Sequence, residues 1–224
     1  MSDKKQQLIS YLSGFVSQQR LSRMMEVLSF RTRHLCVVME DIYQSQNASA
    51  VLRSCDCFGV QDVHIIENKN IYEINPDVAL GASKWLSLHK YNTQQHNTTH
   101  CITSLKEKGY RIIATSPHKN DCLIDELPVE PKTALLFGTE MKGLTPEAKQ
   151  MADGFVKIPM VGFTESFNIS VSAALCLYHL TKKIREKVSE WQLNEEDRSD
   201  ILLEWLKQSV NKADALIRHF EQEQ

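Results

Sequence analysis

An α/β domain built on a mostly parallel sheet is what the order of apolar segments predicts for this 224-residue chain. Short apolar runs of strand length alternate with stretches that repeat apolar residues at helical spacing, the pattern of a parallel sheet with crossover helices. Two of the helical stretches stop at a glycine, Gly59 and Gly109, the residue that commonly sits one position past a helix. Before and after the alternating region the chain reads as helix alone, so the sheet is expected to carry N-terminal and C-terminal flanking helices.

The elements follow in order. Leu8, Leu12, Phe15 and Val16, then Leu21, Met24, Met25 and Leu28, suit two short helices. LCVVME at 35–40 reads as a buried strand, and NASAVLRSCDCFG at 47–59 as a helix with Asn47 at its N-cap. DVHIIE, from Asp62, is a second strand, and residues 68–97, containing ALGASKWLSLHKY, read as a short helix and a strand. THCITSLKEKG is a helix, RIIATS a strand leading into Pro117, and TALLFG at 133–138 a further strand. A helix follows Pro146, then the strand FVKIP, then an apolar helix from about Ser170 with Ser166 or Asn168 as its N-cap. From Glu195 onward Ile201, Leu202, Trp205, Leu206, Val210, Ala213, Leu216, Ile217 and Phe220 predict one long amphipathic helix. Its apolar stripe needs a partner, either the body of the protein or a second subunit. The chain therefore divides into an N-terminal helical extension (1–33), an α/β domain (34–184) and a C-terminal helical extension (185–224).

Composition narrows the function classes. With 42% apolar and 24% charged residues, the chain can form a good-sized core. It has neither an apolar run long enough for a bilayer nor a secretory leader, which predicts a cytoplasmic protein with no membrane partner. Six cysteines without a CxxC pair predict free, buried thiols and no metal site. A formal net charge of −2 argues against a nonspecific nucleic-acid coat. Arg20, Arg23, Arg31 and Arg33 nevertheless cluster with His34, and such a face can dock a phosphate backbone while the remainder stays neutral or acidic.

No glycine-rich turn follows the first strand, which argues against a Rossmann or P-loop site. The useful glycines lie late, in LLFGTEMKGL and IPMVGF, at the carboxyl ends of predicted strands where ligands bind in open α/β sheets. In IPMVGFTESFNISVSAALCLY, Ser166, Asn168, Ser170 and Ser172 surround a helix start, where free backbone N–H groups can meet an anion.

Three segments, QNASAVLRSCDCFGV, LLFGTEMKGLTPEA and IPMVGFTESFNISVSAAL, together resemble the three signature motifs of the TrmH-type 2′-O-ribose methyltransferases of the SPOUT superfamily, in order and spacing. The similarity covers roughly residues 21–183. It implies an α/β knot fold with a deep C-terminal trefoil knot, an exception to the rule against threaded chains. It also implies a homodimer that binds S-adenosyl-L-methionine in the knot. The implied reaction moves a methyl group from a sulfonium to a ribose hydroxyl. That hydroxyl is a poor nucleophile, so the site needs a proton acceptor, a phosphate anchor and a well-oriented cofactor.

The resemblance assigns Arg53 the central catalytic role, often described as the base. A guanidinium keeps its proton in proteins, so Arg53 is read here as gripping phosphate and hydroxyl. Asn47 enters the active site, Glu140 orients the guanidinium or takes a proton, and Ser166 and Asn168 support the ribose and the substrate loop. Thr115, Gly138, Ile158 and Phe167 are the implied cofactor contacts, with Phe167 standing where relatives often carry leucine. The arginine-bearing arm and the helical tail around the core resemble the tRNA enzymes that methylate guanosine 18 of the D-loop. The expected substrate is therefore tRNA. Alternatives are 2′-O-methylation of ribosomal RNA, a noncatalytic RNA-binding protein of this fold, and a helix-mediated interaction protein.

Overall fold

The computed structural model describes residues 3–73, 75–116, 122–139 and 142–222. In chain order the elements are α1 (Asp3–Ser13), α2 (Gln18–Leu28), β1 (Leu35–Glu40), α3 (Ser45–Phe58), β2 (Asp62–Ile66), α4 (Pro76–Ala79), a 3-10 turn (Ala82–Lys84) and β3 (Ser87–Tyr91). They continue as α5 (Asn97–Glu107), β4 (Arg111–Thr115), β5 (Cys122–Leu123), β6 (Thr133–Phe137), α6 (Pro146–Met151), β7 (Gly154–Lys157), α7 (Ile169–Lys187), α8 (Glu195–Ser209) and α9 (Ala213–Gln222). The chain forms two compact units, Thr32–Trp191, and Met1–Arg31 together with Gln192–Gln224. The three-part division read from the sequence thus becomes two, because the terminal extensions fold with each other.

The larger unit is a seven-stranded sheet in the order β3-β2-β1-β6-β4-β7-β5. Every pairing is parallel, with Val37 of β1 opposite Val63 on one side and Leu135 on the other. All six residues of β1 are buried, as expected of a strand covered on both faces. Strand alternation divides its side chains between two cores. Leu35, Val37 and Met39 face Leu52 of α3 and Leu177 and Leu180 of α7. Cys36 and Val38 face Ile102 and Leu105 of α5 and Ala148 of α6. Burying each such aliphatic side chain stabilises the fold by about 1.5–3 kcal/mol before entropy is counted.

Several expectations needed correction. β5 was not anticipated, since two residues are too few to carry a period. α3 begins at Ser45 with Gln44 at its N-cap, so Asn47 lies inside the first turn and is not the cap. Gly59 closes that helix in the left-handed region, at φ 79°. The thiols are free, but Cys57 is exposed.

The smaller unit answers the question of the tail's partner. The predicted single helix is two, because Val210 is extended and Lys212 takes a φ of 56°. Ile201, Leu202, Trp205 and Leu206 are buried on α8, which packs on α1 and α2, while α9 packs on α1. The Tyr11 and Phe220 rings lie 5.2 Å apart, and Lys5 pairs with Asp200. Among the described residues no helix is long and apolar enough to cross a membrane.

Candidate active site

Parallel strands leave their carboxyl ends along one edge, and there the ends of β4, β6 and β7 border a cavity of about 450 Å³. β6 ends at Phe137, and at Gly138 the chain turns to fold back on itself. Thr139 and Gly143 exchange backbone hydrogen bonds of 3.1 and 2.9 Å, and Thr139 Oγ1 accepts from the Lys142 N–H at 3.1 Å. A Cβ on Gly138 would stand 2.3 Å from backbone atoms of Gly143 and Leu144. The close approach that requires this glycine is therefore to the chain's own loop. Gly143 holds the return of that loop at φ 65°.

The loop is clipped from below by a residue that sequence reasoning missed. Glu40, buried at the end of β1, accepts from the Thr145 N–H at 2.9 Å, Thr145 Oγ1 at 2.7 Å and Thr98 Oγ1 at 2.7 Å. Three donors satisfy a carboxylate that burial would otherwise make costly. A charged residue closing an apolar strand was the available signal. Thr145 in turn caps α6 by accepting from the Ala148 N–H.

The opposite wall comes from the segment after β7. Asn168 is the N-cap of α7, its Oδ1 accepting from the Ser170 N–H at 2.8 Å and Ser170 Oγ at 2.6 Å. With its oxygen so engaged, its Nδ2 donates to Asn47 Oδ1 at 3.1 Å, and Asn47 Nδ2 donates to Gln44 Oε1 at 2.9 Å. The two asparagines tie the first turn of α3 to the first turn of α7.

Thr115, Gly138, Ile158 and Phe167 all line the cavity, together with Ser166 and Asn168. Thr115 Oγ1 donates to the Leu136 carbonyl at 3.0 Å, which joins the ends of β4 and β6. Lys142, Lys149 and Lys157 also line it, and no carboxylate does among the described residues. Single lysines in ordinary contexts gave no sequence signal. Cys176 lines the cavity too, and burial pushes its thiol up to about 12, so it stays protonated at neutral pH.

Arg53 is exposed on α3, six residues and about 9 Å along the helix axis from Asn47, and is not part of the cavity lining. Glu140 lies outside the described residues. Of the basic cluster, Arg20 and Arg23 are exposed on α2, with Arg23 paired to Glu26 at 2.7 Å. Arg31 does not fit a nucleic-acid face, because it is fully buried with its guanidinium 5.4 Å from the Trp205 ring centroid, a cation–π contact. Arg33 is committed as well, its Nε 2.9 Å from an Asp62 carboxylate oxygen.

Comparison with known proteins places these features in a family context. The SpoU rRNA methylase family matches residues 34–178. The chain is 42% identical to the tRNA (guanosine(18)-2′-O)-methyltransferase of Borreliella burgdorferi over 94% of both chains. It is 32% identical to the enzyme of the same name from Thermus thermophilus, over 85% of this chain and 97% of that one. Among solved structures, the Aquifex aeolicus TrmH/SpoU tRNA modifying enzyme is similar at a TM-score of 0.77 and 30% identity, covering 87% of this chain and 98% of that one.

Proposed function

Since the chain belongs to the SpoU rRNA methylase family, we propose that it transfers a methyl group from S-adenosyl-L-methionine to the 2′-hydroxyl of guanosine 18 in tRNA. The observation that carries the reading is the Asn168–Asn47 hydrogen bond, which brings the first and third motifs together beside the cavity that the second motif borders. Relatives matched over 94% and 85% of this chain are named as tRNA enzymes, which supports tRNA over ribosomal RNA.

The cavity fits the cofactor. Its volume lies within the range of small-molecule sites, and its walls are backbone-rich turns made possible by Gly138. When bound, the cofactor supplies an electrophilic methyl group on a sulfonium. Thr115, Gly138, Ile158 and Phe167 hold and orient it, and the lysine-rich lining suits its carboxylate. Ser166 and Asn168 support the ribose from the α7 side. Arg53, free of protein partners among the described residues, reaches the phosphate and hydroxyl of the target nucleotide. Glu140 of the second motif orients the guanidinium or takes the proton that leaves the hydroxyl.

Arg20 and Arg23, exposed on α2, are the arginines of the basic cluster whose surface position suits contact with the RNA backbone. The reading includes a homodimer in the cytoplasm and the knot that the motif resemblance implies. Val171, Leu175 and Tyr178, at helical spacing on the exposed face of α7, with Val161 and Phe163 before it, support a second copy as partner. The test is methyl transfer from labelled cofactor to an unmodified tRNA pool and to ribosomal RNA, followed by mapping of the modified ribose. Label at guanosine 18 is expected; label confined to ribosomal RNA overturns the substrate.

A further inference from the structure

Two loops at the carboxyl edge of the sheet are held with more care than their length requires. Asp41, just after β1, takes a φ of 56°, and its Oδ1 accepts the backbone N–H groups of Asn68, Lys69 and Asn70 at 2.8, 2.8 and 3.2 Å. Asn70 Nδ2 returns a bond to the Asp41 carbonyl at 2.8 Å. Asn68 Nδ2 donates to Thr98 Oγ1, and Thr98 Oγ1 donates to the buried Glu40. On the far side Glu67 accepts from the Tyr72 N–H at 2.8 Å. Each loop buries one large apolar side chain, Ile42 and Tyr72, and turns the adjacent one outward. Tyr43 is 76% exposed and Ile71 is 80% exposed.

A clamp of this kind costs backbone strain at Asp41 and presents two large apolar groups to water, neither of which serves the core. We propose that Tyr43 and Ile71 form a stacking platform for a base of the substrate RNA, adjacent to the methylated ribose. The inference rests on the reading of the chain as a tRNA ribose methyltransferase. Position supports it: Tyr43 precedes the first turn of α3, where Asn47 meets Asn168. β1 neighbours β6, whose end borders the cavity, so with strands about 4.8 Å apart the clamped loops lie roughly 5–10 Å to the side of it.

The surroundings select a nucleotide over a protein helix. A helix partner needs a continuous apolar stripe, whereas here two isolated apolar groups are flanked by Gln44, Asn68, Lys69 and Asn70. An aromatic face with a nearby exposed lysine matches a base and its phosphate. Because the hydrogen-bonded clamp already orders both loops, little freedom is lost on binding.

The test uses the full chain, an unmodified tRNA transcript and the variants Y43A, Y43F and I71S. Y43A is expected to weaken tRNA binding about tenfold, I71S less so, and Y43F to bind as the wild type because the ring remains. Cofactor affinity, oligomeric state and the slope of binding against salt are expected to stay unchanged. Wild-type binding by Y43A, a loss in Y43F equal to that in Y43A, or a dimer broken by Y43A would each overturn the platform. Wild-type protein that methylates no tRNA would instead sink the functional reading, so the two failures are separable.

Discussion

Asn168 Nδ2 donates to Asn47 Oδ1 at 3.1 Å across 121 residues of sequence, fixing the start of α7 against the start of α3. Because Asn168 also caps α7 through its oxygen, one side chain sets both the helix terminus and its neighbour's position.

Replacing Asn168 with alanine removes the cap and the bridge together. The cap alone accounts for about 1 kcal/mol of stability. The double variant with Asn47→Ala should fall short of the sum of the single losses by roughly 0.5 kcal/mol or more, as expected of residues in contact. Denaturant unfolding of the three variants measures this, and additive losses would remove the bridge from the account.

Gly138→Ala puts a methyl group 2.3 Å from the backbone of Gly143 and Leu144, neither of which is a flexible side-chain end. The loop must move, at a cost of about 1–3 kcal/mol. Calorimetric titration with S-adenosyl-L-methionine should show lost or much weaker binding, with the sheet intact by circular dichroism.

Arg53→Ala separates chemistry from folding. An exposed arginine without described partners should change stability by no more than about 0.5 kcal/mol. Methyl transfer should drop about a hundredfold or more while cofactor binding is retained. Undiminished activity would remove Arg53 from the mechanism.

Acid should destabilise the larger unit through His64. Burial, helped by the neighbouring His89 stacked on it at 4.5 Å, lowers its pKa to about 3. In the unfolded chain the imidazole takes its proton near pH 6.5, while in the folded protein it stays neutral. Its contribution is therefore complete above about pH 6.5 and is lost progressively as pH falls toward 3. Integrated to pH 5, the loss is about 2 kcal/mol. Asp62 acts in the same direction: burial opposes its charge, but His89 and Arg33 outweigh it and hold the carboxyl below its usual range. Thermal unfolding at pH 7.5 and pH 5 tests this, and His64→Leu should flatten the difference.

The elements themselves were largely legible. Helical and strand periods are local properties, so the parallel strands, α3, α7 and the glycine stops could be read along the chain. Thr115 after the RIIA strand and the motif residues Gly138, Ile158, Ser166, Phe167 and Asn168 line one cavity. What failed depended on partners far away in sequence. Arg31 reads as a basic surface residue until Trp205 is seen beneath it, and Asn47 reads as a helix cap until Asn168 reaches it. The tail reads as one helix because its apolar spacing continues through Val210, where the backbone turns extended.

The sequence by itself determined the α/β alternation, the family and the side chains available for chemistry, because these are written in residue type and spacing. Tertiary structure alone decided that the terminal extensions fold with each other. It also decided that Glu40 clips the glycine loop, and which arginines of the basic cluster are exposed and which buried. Those outcomes turn on burial and on contacts between segments far apart in sequence, 105 residues for Glu40 and Thr145 and 195 for Lys5 and Asp200, and no local pattern encodes such a distance.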